Sequence, residues 1–148
     1  MHRLSRKAFT LIELVVVVMI LGILAAVAVP KLINTSRVAV DNGMQTTLSV
    51  VRDAVEMYVA ENNGELPGLA NDLPGDLAQY LRGAEFPSCP VGPQQNASVD
   101  YVAGDGTTPL DGDANPTTSW RYDQSTGEFI CNYDSRLASD NMVSYDEL

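Results

Sequence analysis

The sequence predicts an α+β fold in which one long N-terminal helix, membrane-spanning in its first half and amphipathic in its second, packs on a small antiparallel sheet. Three observations lead there. Residues 9–29 form an apolar run of 21 residues carrying a single acid, Glu13, and as a helix such a run is about 31 Å long against a hydrocarbon core of about 30 Å. Beyond Pro30, the residues Val40, Met44, Leu48, Val51, Val55, Tyr58 and Val59 recur at steps of three and four, with Asp41, Gln45, Arg52, Asp53 and Glu56 between them. After Gly64 the chain becomes rich in Gly, Pro, Asn and Asp, with short strand-type runs separated by turn residues.

Taken in chain order, residues 1–8 read as a basic leader, 9–30 as the membrane-spanning helix, 31–62 as its amphipathic continuation and 63–148 as a head. Arg3, Arg6 and Lys7 flank the apolar run on its N-terminal side, which keeps that end on the cytoplasmic face; Lys31 and Arg37 beyond it weaken the bias without cancelling it. Proline removes one helical hydrogen bond and glycine costs about 1 kcal/mol relative to alanine, so the interval from Gly22 to Pro30 is the weakest part of the helix. An unbroken helix over residues 9–62 spans roughly 80 Å. That exceeds what a small domain can cover, so its first half needs lipid or other subunits around it.

Asn62, Asn63 and Gly64 give the stop signal, with Gly64 suited to a left-handed cap. A short helix is expected over residues 76–81, with Asp76 as N-cap and Leu77, Tyr80 and Leu81 toward the core. Strands are expected at 99–103, 119–123 and 128–132, the last two joined by a hairpin loop over 124–127 that places Gly127 where positive φ is wanted. Trp120, Tyr122 and Phe129 alternate along that hairpin and read as core.

Composition narrows the function. The 148 residues are 45% apolar and 19% charged, ordinary for a folded chain, with a formal charge of −10. The three leader cations precede Phe9 and all 19 acids follow it, a balance that disfavours nucleic acid as a direct partner. The one histidine, His2, lies in the leader, so a chain cut after residue 8 has no imidazole for acid-base catalysis or metal ligation. With no G-x-S-x-G, no phosphate-binding glycine loop and no complete metal constellation, the sequence points away from an enzyme.

Glu13 is the residue to explain, because an ionised acid inside a membrane-length segment is costly unless paired. An ordinary secretory signal, cut after the small-x-small site Ala26, Val27, Ala28, releases a soluble binding module starting at Val29 and gives the acid no purpose. A simple uncleaved anchor explains it no better. The residues RKAFTLIEL, followed by the apolar stretch and Pro30, resemble the class III signal of type IV pilins and type II secretion pseudopilins. The likeness covers about the first 30 residues, and the layout of helix and head matches the pilin ladle. It implies cleavage by a prepilin peptidase between Ala8 and Phe9 and N-methylation of Phe9. Where this chain has Ala8 the family usually has Gly, and alanine is the next smallest side chain.

The resemblance also implies a bacterial inner-membrane protein, single-pass with its head in the periplasm, that polymerises with copies of itself or related subunits into a pseudopilus or surface pilus. Membrane lipid before assembly and the inner-membrane assembly machinery are its further partners. Cleavage creates a cationic amine at Phe9, and methylation keeps the charge. In a bundle of apolar helices, Glu13 of one subunit can meet the Phe9 amine of the next, which makes it a register key for assembly. The competing account has Glu13 snorkelling to the headgroups without a specific partner. Gly22 and Pro30 mark the stretch that can lose helicity in pilin-like filaments, or simply a kink where the helix leaves the bilayer.

Cys89 and Cys131 are the two cysteines. In an exported head they read as one disulfide, for which chain entropy gives about 4 kcal/mol, with two buried free thiols as the alternative. The spacing Asp111-x-Asp113-x-Asn115 reproduces half of a calcium loop, but Pro116 stands where glycine is required and Tyr122 where the bidentate Glu belongs. Some pseudopilins carry calcium in this region, which makes Asp105, Asp111 and Asp113 calcium candidates against a plain solvated, turn-rich loop.

Overall fold

The computed structural model describes residues 9–137, 139–140 and 142–148, without the side chain of Asn34. The leader, and with it Ala8, lies outside the described residues. Two units are distinguished, meeting between Ser36 and Arg37.

The first helix, α1, covers Leu11–Glu61 with Pro30 inside it, so the helix of the isolated chain continues through the interval from Gly22 to Pro30. It stops where the sequence indicates. Asn63 and Gly64 take positive φ (55° and 91°), and the Gly64 N–H donates to the Val59 carbonyl at 2.9 Å, closing the last turn.

In the second unit α1 buries Met44, Leu48, Val51, Ala54 and Val55, with Tyr58 and Val59 half-buried beside them. Val40 does not belong to this face: it is 38% exposed, and the inward position of that turn is taken by Asp41, 2% exposed. The correction is one of helical phase, since Asp41, Met44, Leu48, Val51 and Val55 advance by three and four without a break.

The short helix α2 covers Leu73–Leu77, starting earlier than expected, and its N-cap is Asp72, not Asp76. The Asp72 carboxylate accepts from the Gly75 N–H at 3.0 Å, and Pro74 in the first turn needs no donor. Asp76 instead accepts from the Gly68 N–H at 2.7 Å, fastening the loop before the helix.

Strands β1 (Val99–Val102), β2 (Trp120–Asp123) and β3 (Phe129–Cys131) form one sheet in that order. The β2–β3 hairpin is antiparallel, with Tyr122 opposite Phe129 and Trp120 opposite Cys131. Gly127 closes it at φ +79°, where an added Cβ would come within 2.7 Å of Leu66 Cδ2. β1 pairs parallel to β2, Val99 opposite Trp120 and Val102 opposite Asp123, so the sheet is mixed rather than purely antiparallel. Parallel pairing needs a crossover of about a dozen residues or more, and the Gly-, Asp- and Pro-rich stretch 103–119 carries the chain back to the end where β1 began.

Trp120, Tyr122 and Phe129 are 0%, 0% and 1% exposed and meet the inward face of α1 in one core with Leu73, Leu77 and Cys89. The Trp120 indole N–H donates to the Pro87 carbonyl at 3.0 Å, so the largest side chain is buried with its polar atom satisfied.

Candidate functional site

The N-terminal segment is apolar on every side. From Leu11 to Ile33 the large apolar residues are 45–80% exposed, and Phe9 is 76% exposed. Monomeric soluble proteins rarely present so much contiguous apolar surface. α1 is the one helix among the described residues long and apolar enough to cross a membrane.

At its start, Thr10 accepts from the Glu13 backbone N–H through Oγ1 at 3.3 Å, and its hydroxyl lies 3.5 Å from Glu13 Oε2. Thr10-Leu11-Ile12-Glu13 thus has the spacing of a helix N-terminal capping box, in which a Thr side chain satisfies an otherwise orphaned N–H. That signal, T-x-x-E before an apolar run, was present in the sequence and gives Glu13 a local role beside any intersubunit one. Gly22 has open space where a Cβ would stand, so no contact among the described residues requires glycine there.

In the head, the side chain that sequence pattern misplaced is Asp41. Its Oδ1 accepts from the Tyr145 hydroxyl at 2.8 Å and its Oδ2 from the Ser139 N–H at 2.7 Å. One carboxylate thereby ties α1 to the C-terminal segment. Arg52 makes a second tie: Nε and Nη2 donate to the Phe129 carbonyl at 3.1 and 3.0 Å, and Nη1 to the Leu148 carbonyl at 2.9 Å. Both residues sit among the expected polar positions of an amphipathic helix, where periodicity alone assigns them to solvent.

Cys89 and Cys131 are brought together. Both are buried, their sulfur atoms are 3.7 Å apart, and they stand as thiols. The hydrogen bond between them holds the Cys89 thiol below its ordinary pKa and pushes that of Cys131 up.

Of the three calcium candidates, Asp105 and Asp111 line one open cavity, whose lining does not include Asp113. Asp105 is exposed, and the N–H groups of Thr107 and Thr108 hold its carboxyl down to about 2. Asp113 caps its own turn by accepting from the Asn115 N–H at 3.1 Å. Asp111 faces Asp146, whose hydrogen bond raises its pKa, while Asp146 accepts from the Gly112 N–H at 2.8 Å. Among the described residues no three His, Cys, Asp or Glu side chains converge where a metal ion could sit.

Residues 3–29 match the prokaryotic N-terminal methylation motif. The chain is 35% identical over 63 residues to the type II secretion system core protein G of Klebsiella michiganensis, a stretch that covers 43% of this chain and 44% of that one. It thus spans less than half the length of that relative. It is 30% identical over 106 residues to the type II secretion system core protein G of Escherichia coli, covering 66% of this chain and 71% of that protein. It is 34% identical over 100 residues to the competence protein ComGC of Halalkalibacterium halodurans, covering 66% of this chain and 90% of the relative. No solved structure matches significantly. With the methylation motif on its exposed apolar helix and relatives that it covers over most of their length, the chain belongs to the family of type IV pilins and type II secretion pseudopilins.

Proposed function

We propose that this chain is a structural subunit, not an enzyme, of a pilus or pseudopilus filament. One observation carries the reading: a membrane-length helix with no cover of its own bears a single acid, Glu13, four residues after the expected new N-terminus at Phe9. Prepilin peptidase cuts between Ala8 and Phe9 and methylates the Phe9 amine. The helix resides in the inner membrane with the head in the periplasm until the assembly machinery draws it into the filament. There the apolar surface passes from lipid to neighbouring helices, and each Glu13 meets a neighbour's amine.

Mass spectrometry of the mature N-terminus tests the processing step. Methyl-Phe9 is the expected result. A chain starting at Val29 would identify a soluble module instead, and one starting at Met1 a simple anchor.

For an oxidising periplasm we propose further that Cys89 and Cys131, whose sulfur atoms already lie 3.7 Å apart in the core, pair as a disulfide. The unreduced, denatured chain should then react with no maleimide, and the reduced chain at two sites. Cys89→Ser should cost about 2–4 kcal/mol of head stability. Two reactive thiols in the unreduced chain would overturn the pairing.

A further inference from the structure

A groove of about 660 Å³ runs between the last turns of α1 and the tip of the β2–β3 hairpin. Its apolar lining is Val55, Val59, Leu66 and Phe129, and it carries an acid on each side, Glu56 from the helix and Glu128 from the hairpin. Glu56 is exposed and Glu128 half-buried. The one cation in the lining, Arg52, already donates to the carbonyls of Phe129 and Leu148. Among the described residues neither acid makes an ion pair within the chain, so the groove is apolar with a net negative rim.

The same helix carries the complement. The inward series of α1, Asp41, Met44, Leu48 and onward, is buried. One step of four toward the N-terminus it reaches Arg37, with Val40 alongside. Val40 is 38% exposed, and Arg37 is exposed and makes no ion pair among the described residues. This stripe presents one branched apolar side chain beside one cation, both open to solvent among the described residues.

We propose that the groove receives this stripe, Arg37 and Val40, from a second copy of the chain, with the Arg37 guanidinium set between Glu56 and Glu128. The proposal rests on the filament reading above and adds to it a contact outside the lipid-soluble segment. Groove and stripe are different surfaces, so each copy gives one and receives one, and the contact is head-to-tail and open-ended. Burying apolar surface holds the contact, while the charges set its register and exclude misdocked neighbours.

Two experiments, both with the full chain in cells carrying the assembly machinery, test this. Arg37→Glu should lower sheared filament yield about tenfold by placing three acids together. Combining it with Glu56→Arg and Glu128→Arg should restore the yield. Separately, Val40→Cys with Ala60→Cys in one chain cannot cross-link internally, since 20 helical residues separate the two by about 30 Å. Oxidation should therefore give a ladder of dimers, trimers and longer species, and neither single variant should. Filaments of normal yield with Arg37→Glu and no ladder would overturn the docking and leave the filament reading standing. A correctly inserted wild-type chain that forms no filament would overturn both.

Discussion

Glu13→Ala should leave the chain inserted in the membrane and stop filament growth. Insertion is set by the apolar residues 14–29, which the substitution does not touch. Assembly is expected to differ, because on the proposed pairing the neighbour's Phe9 amine would enter the helix bundle without its carboxylate. Stranding one partner of a buried ion pair costs about 3–5 kcal/mol, so each addition weakens by more than about 100-fold.

Alanine also removes the acid that faces the Thr10 hydroxyl, and Glu13→Gln separates the two roles. Glutamine can still accept from the Thr10 hydroxyl through its side-chain oxygen but brings no charge to the amine. Loss of filaments with Glu13→Gln, at normal carbonate-resistant membrane levels, assigns the effect to the charge. Unchanged filament yield with either variant would refute the register key and favour a snorkelling acid.

The second large effect is expected at Asp41. Asp41→Ala should destabilise the head by about 3 kcal/mol, because the hydrogen bonds that its buried carboxylate accepts, two of them among the described residues, are lost at once. Their donors, the Tyr145 hydroxyl and the Ser139 N–H, are 104 and 98 residues away in sequence, so the loss falls on the docking of the C-terminal segment. Urea unfolding of the full chain in detergent should show a lower midpoint, and limited proteolysis should cut first within residues 137–148. Tyr145→Phe keeps the ring, which stacks beside Tyr133, and should cost about 1–1.5 kcal/mol. A midpoint for Asp41→Ala within about 0.5 kcal/mol of wild type would show that the carboxylate does not fasten the segment.

Much of the architecture was legible because it depends on local composition. A run with no charge between Glu13 and Lys31 can only be soluble in lipid or in a bundle of like helices. The alternation of Trp120, Tyr122 and Phe129 sets the core face of the hairpin whatever it packs against, and Gly127 sets its turn. The strands begin and end within a residue or two of their expected limits. The contact between Thr10 and Glu13 follows from the T-x-x-E spacing at the helix start.

What escaped sequence reading is of another kind. Whether β1 runs parallel or antiparallel to β2 depends on the route of residues 103–119, and strand patterning has no direction in it. Asp72 and Asp76 are both good caps, and the choice between them is made by the Gly68 N–H, which captures Asp76 from eight residues away.

The sequence by itself determined that this protein has a lipid-soluble helix with one acid near its start, an amphipathic continuation and an α+β head, because hydropathy, periodicity and turn chemistry act over a few residues. Only the tertiary structure decided that Asp41 is buried and that Arg52 lies half-buried against the head. Burial of a charge is repaid by partners far along the chain, here the Ser139 N–H, the Tyr145 hydroxyl and the Phe129 and Leu148 carbonyls, and those meet the helix only once the head has folded around it.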